Sequence, residues 1–128
     1  MKVEVSNGEL LDKLSILELK LNKIKDNKKL INIKNEHSGL NPLCNNLFEN
    51  YGKELRNLYA KLSEINAELW KIEDDIRECE RHKEFGDEFV RLARAVYFTN
   101  DKRSDVKKSI NLLTESGFVE EKSYEDYK

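Results

Sequence analysis

The chain reads as an all-α protein: a long antiparallel helical hairpin, coiled-coil-like, with two shorter C-terminal helices packed over one end. Three observations predict it. Leu55, Leu58, Leu62, Ile65, Leu69, Ile72, Ile76 and Cys79 recur at alternating spacings of three and four, which lays an apolar seam along one side of a helix. Leu10, Leu14, Leu17, Leu21 and Ile24 repeat that pattern near the N-terminus. Charged and hydrophobic residues each make up 38% of the chain, a balance suited to helices that bury one stripe and solvate the rest. At 128 residues the chain fits one helical domain, 1–128, with a modest core.

Met1 to Val5 alternates in polarity, so residues 1–6 are expected to be a short extended segment. Ser6-Asn7-Gly8-Glu9 matches a capping box, in which the Ser6 hydroxyl accepts from the Glu9 amide; the first helix begins near Asn7. Leu11, Ile16 and Leu19 lie off its main seam, so its N-terminal half needs cover from more than a hairpin partner. The seam fades at Lys28. Asn35 to Asn46 holds the single proline, Pro42, with Gly39 and several polar turn-formers, and is read as the hairpin turn. The second helix follows from about Leu47 to Glu80, its start weakened by Gly52.

After the break at His82 to Gly86, Asp87 caps a third helix with Phe89, Leu92, Ala93, Val96 and Tyr97 inward. Asn100-Asp101 is read as a turn. Val106, Ile110 and Leu113 then stripe a fourth helix ending around Gly117. Helices three and four are the natural cover for Leu11, Ile16 and Leu19. Residues 118–128 form an acidic, aromatic tail.

Net charge is −2 and the pI near 5.8, so no overall basic field draws in nucleic acid or an anionic membrane. The N-terminus lacks an apolar signal core and no apolar run reaches spanning length, so the expectation is a soluble cytoplasmic protein. Cys44 and Cys79 are only two, and they read as reduced thiols. Arg91, Arg94, Lys102, Arg103, Lys107 and Lys108 make a locally basic patch, but Asp101 and Asp105 interrupt it and ordinary surface charge explains it.

Beside the main seam runs a second, polar stripe: Tyr59, Ser63, Asn66, Trp70, Glu73, Arg77 and Glu80. The topology sets Trp70, Glu73 and Arg77 near Arg91, Arg94, Tyr97, Asn100, Asp101 and Arg103, with Asp12 and Lys13 at the same end. Carboxylates, guanidiniums and aromatics converging in this way suit an anionic small molecule or acid–base chemistry. The plainer reading is a lattice of ion pairs or a subunit contact. Asp74, Glu78 and His82 share metal-ligand spacing, yet they sit in a stretch dense with acids and read as a solvated face. No cofactor or metal is expected. The serines and cysteines lack the context of a nucleophile, and the glycines are too scattered for a phosphate loop.

The blocks VEVSNGELLDKLSILELK at 3–20, LWKIEDDIRE at 69–78, RLARAVYFTNDKR at 91–103 and EEKSYEDY at 120–127 resemble an uncharacterised family of small helical bacterial and phage proteins, a domain of unknown function. The chain departs from that pattern at Asn7, where the family carries proline; proline there would only preset the first helical turn. The resemblance implies a shared fold and brings no activity. It marks Trp70, Glu73, Asp74, Arg77, Arg91, Arg94, Tyr97, Asn100, Asp101 and Arg103 as polar members of the blocks. Two functions remain from these residues. The first is a non-enzymatic partner-binding or assembly protein, a homodimer or larger homo-oligomer joined through its seams and aromatic stripe. The second is a small enzyme or ligand-binding protein in which Arg77, Arg91 and Arg94 hold an anion, Glu73 or Asp101 acts as base, and Tyr97 orients the ligand.

Overall fold

The computed structural model describes residues 1–118, and the fold is all-α. Three helices follow in order: α1 Asn7–Lys23, α2 Asn27–Arg81 and α3 Asp87–Leu113. Among the described residues no strand forms; residues 1–5 are irregular, with Val3 and Val5 exposed. The tail beyond Phe118 lies outside the described residues.

The capping box starts α1 where the sequence places it. Ser6 is extended (φ −68°, ψ 158°) and its Oγ accepts from the Glu9 amide at 3.1 Å. The helix ends earlier than the seam suggests. Ile24 turns extended at ψ 134°, and Asp26 caps α2 by accepting from the Lys28 and Lys29 amides at 2.9 and 3.1 Å. A short acid before a run of lysines is thus the real reversal.

Asn35 to Asn46, expected as the turn, is helical throughout. Pro42 removes one N–H that would bond the Ser38 carbonyl, a loss of about 3 kcal/mol in a closed helix interior. Ser38, Gly39 and Pro42 face solvent, where that carbonyl can be hydrated. On the other side of the same helix Ile33, Cys44 and Phe48 are buried, which keeps the segment helical. The break comes at Gly52 instead, at φ 58° and ψ −138°. It divides α2 into limbs 27–51 and 53–81. A Cβ at Gly52 meets nothing within 4 Å, so the demand is conformational only. Gly52→Ala should therefore cost about 1–3 kcal/mol in a urea titration, with the difference coming from backbone strain.

Two further corrections concern the C-terminal half. The loop after α2 closes with Lys83 at φ 55° and a Glu84 N to Cys79 O bond of 2.9 Å, a Schellman-type stop. The expected third and fourth helices are one. Asn100-Asp101 passes without a turn, because Thr99 and Ile110 are buried on either side and hold a continuous inner face. Gly86 rather than Asp87 is the N-cap, and Asp87 is the first helical residue. The helix stops at Leu113 with the same device, Glu115 at φ 52° and Ser116 N bonded to Asn111 O at 2.9 Å. Tyr97, expected inward, is 45% exposed.

The core has two parts, and their membership fixes the packing. The first joins all three helices: Leu11 and Leu14 of α1, Cys44, Phe48, Leu55 and Leu62 of α2, and Ile110 of α3. The second joins only two: Ile72 and Cys79 of α2 with Leu92 of α3, flanked by Ile76, Phe89, Ala95 and Val96. Residues 55–62 thus meet 106–113, and 72–79 meet 89–96. The long antiparallel pairing is between the second limb of α2 and α3. α1 covers only the end remote from the loop at 82–86, and residues 67–102 project past it as a two-helix arm.

Candidate functional site

The buried polar residues gather where α1 lies against the other two helices. Asp12 is 1% exposed, and both of its carboxylate oxygens accept hydrogen bonds. Arg103 donates Nε–H to Oδ1 at 3.0 Å and an Nη2 proton to Oδ2. Asn66 Nδ2 donates to the same Oδ1 at 2.9 Å and to Ser15 Oγ at 3.1 Å, and Ser15 contacts Ser63 Oγ at 3.4 Å. One turn back on α1, Glu9 pairs with Lys107 at 2.7 Å, and the Gly8 amide donates to Asn111 Oδ1 at 2.6 Å. Asn7 reaches Thr114 and Ser116. A carboxylate that is closed to solvent and met by three donors holds a fork-like charge pair and offers no access for a substrate. This is a joint, and its chemistry is attachment.

The polar stripe of α2 therefore splits. Tyr59, Ser63 and Asn66 face α1 of the same chain: Tyr59 donates its hydroxyl proton to Glu18, and the other two belong to the joint. Burial and the Glu18 hydrogen bond push the Tyr59 phenol upward, so it stays protonated. Nearby, Cys44 is fully buried and burial lifts its thiol to about 11, which removes it as a nucleophile at neutral pH. His37 Nε2 lies 3.5 Å from Glu18 Oε2, near enough for an ion pair when protonated but not aligned as a hydrogen bond.

Beyond Asn66, among the described residues, the stripe makes no hydrogen bond or ion pair with α1. Trp70 is half-buried, Asp74 exposed, and Glu73 pairs with Arg77 one turn on, with side chains 43% and 64% exposed. Such a pair contributes about 0.3–0.5 kcal/mol. The structure does not bring Arg91 or Arg94 to it. Glu88 binds the Arg91 guanidinium through two nitrogens, and that pairing holds the Glu88 carboxyl below its ordinary range. Arg94 lies over the Phe98 ring at 5.6 Å, and Tyr97 packs on Phe98 at 5.0 Å. Asn100 is exposed and Asp101 half-buried. Of the ten residues singled out, Arg103 alone belongs to the joint.

Arg91 and Arg94 instead line an open groove of about 440 Å³ with Glu68, Asp87, Val90, Ala95, Phe98, Thr99 and Lys102. It follows α3 from Asp87 to Lys102, roughly 22 Å at 1.5 Å per residue. By helical period, Glu68 and Asp75 sit on the flank of the α2 seam opposite Trp70, Glu73 and Arg77. The expected single cluster is therefore two faces of one arm. At its tip the Glu78 carboxyl is held below its ordinary range by Arg81 and then His82. Among the described residues, no group of three His, Cys, Asp or Glu side chains converges on one point, and no helix is long and apolar enough to cross a membrane.

Ser15, Asn111 and Thr114 carry no role in the sequence reading, and Lys107, read there as ordinary surface charge, is instead buried in the joint. Arg103, Lys107 and Asn111 form a row at spacing four beside the apolar row Val106, Ile110 and Leu113. A polar row bordering a core stripe is the signal that was there to find.

No curated protein and no solved structure matched the chain. A family model does, across residues 1–127. The chain belongs to the family of unknown function DUF6165.

Proposed function

We propose that this protein is a non-enzymatic assembly protein that associates with itself through the two-helix arm of residues 67–102. The observation that carries the reading is the division of the core. A pair of helices covers only one stripe on each, and the arm's own cluster is three buried residues deep. Apolar side chains are left outside it, with Phe85 51% and Val90 52% exposed. Two arms side by side make four helices, which buries what two cannot. Aromatic anchors such as Phe98 suit that role.

The test is molar mass by light scattering. Wild type should approach about 30 kDa, twice the 15.1 kDa chain. Val90→Asp, which sets a charge in the groove without touching the core, should weaken association about ten-fold or more. A wild type that stays at 15.1 kDa at every concentration overturns the reading.

A further inference from the structure

The groove side of the arm is charged asymmetrically, and symmetry turns that into a geometry. Its α3 edge bears Arg91, Arg94 and Lys102, with one acid, Asp87, at the tip end, and its α2 edge bears Glu68. Glu64 lies one turn before Glu68 on the same flank, and Asp75 two turns after. Some of these charges are already engaged: Glu88 holds Arg91, and Lys71 bonds Asp75 at 3.0 Å. Among the described residues Glu64, Glu68 and Lys102 make no ion pair, and Arg94 makes only its contact with Phe98. Apart from Asp87 at the tip end, acid thus remains along the α2 edge and base along the α3 edge, with Val90, Ala95 and Phe98 as apolar lining.

We infer that the occupant of this groove is the same face of a second copy, docked about a twofold axis that runs along the arms. The inference rests on the self-association reading above and adds face and direction to it. Two twofold axes can bring a face against itself. One lies across the arms; it makes them antiparallel and sets acidic edge on acidic edge. The other lies along the arms; it makes them parallel and sets the acidic edge of each copy on the basic edge of the other. Only the second is electrostatically complementary. It also matches in level. Glu68 and Lys102 line one groove at the same height along the arm, and an axis along the arms preserves height, so Glu68 of one copy meets Lys102 of the other. The groove's length, about four helical turns, suits a helix pair rather than a compact small molecule. In this arrangement the tips at 82–86 come together.

Charge reversal tests the face. Arg94→Glu with Lys102→Glu makes both edges acidic; Glu64→Lys with Glu68→Lys makes both basic. Each double variant alone should dimerise at least roughly ten-fold more weakly than wild type, by sedimentation, with unchanged circular dichroism. An equimolar mixture should recover a dimer containing one of each. Trp70→Ala, on the opposite flank, should associate as wild type does. The direction is tested by Lys83→Cys at the exposed tip: mild oxidation should link two copies, since Cys44 and Cys79 are buried. If the acidic variant dimerises like wild type, if the mixture remains monomeric, or if the tip cysteines do not link within a dimer, this geometry is wrong while self-association stands. A monomeric wild type overturns both.

Discussion

Arg103→Ala should destabilise the protein by about 3–5 kcal/mol, the usual loss when one member of a buried ion pair is removed. The reason is what stays behind. Asp12 is 1% exposed, and without the guanidinium its carboxylate keeps only the Asn66 amide as a donor. The damage spreads because the joint ties α1 to both other helices; its loss loosens the Glu9–Lys107 and Gly8–Asn111 contacts beside it. Calorimetry would register a drop of roughly 10–20 °C in Tm. The double change Asp12→Leu with Arg103→Met should cost much less than Arg103→Ala alone, since it removes both charges and leaves apolar volume. Arg77→Ala, which breaks an exposed pair, should change stability by no more than about 0.5 kcal/mol. Equal costs for Arg77→Ala and Arg103→Ala would mean that the joint holds nothing together.

Gly8→Ala should cost about 2–3 kcal/mol, although alanine is the better helix former by roughly 1 kcal/mol. A Cβ at this position would stand 2.6 Å from the Lys107 carbonyl oxygen and 2.9 Å from Asn111 Oδ1. The first of these is backbone within α3, so it cannot swing aside as a side chain would. Relief requires α1 and α3 to separate, and that separation breaks the 2.6 Å bond from the Gly8 amide to Asn111. Chemical denaturation decides the matter by sign. Destabilisation supports the close crossing; a gain of about 1 kcal/mol, as an exposed helical glycine would give, contradicts it.

The sequence carried some features of this fold plainly and concealed others, and the difference has physical causes. Ser6 and the seam of Leu55, Leu62, Leu69, Ile72 and Cys79 were legible because a cap and a core stripe are local patterns that tertiary structure reinforces. The first reversal was not. Pro42 and Gly39 resemble a turn, but burial of Ile33, Cys44 and Phe48 outweighs one lost hydrogen bond on a solvated face. The true breaks lie at Asp26, an inconspicuous cap, and at Gly52, a glycine used for its positive φ. That error carried into the topology: with the turn misplaced, α1 rather than α3 was paired along the second limb of α2. The candidate site suffered in turn. Glu73, Arg77, Arg91 and Arg94 do come from neighbouring turns of paired helices, but a helical seam has two flanks, and a charge pattern alone does not say which one a neighbour shares. Arg103 and Asp12 were both in view, and their pairing became visible only once α1 was laid across α3.

Self-association through the arm is the central claim, and hydrogen–deuterium exchange at two protein concentrations tests it most directly, because it reports both whether copies meet and where. At high concentration, amides within residues 67–102 should exchange more slowly than after dilution, while those of α1 and the first limb of α2 should not change. Protection that is independent of concentration, or a concentration effect confined to residues 7–51, would contradict it.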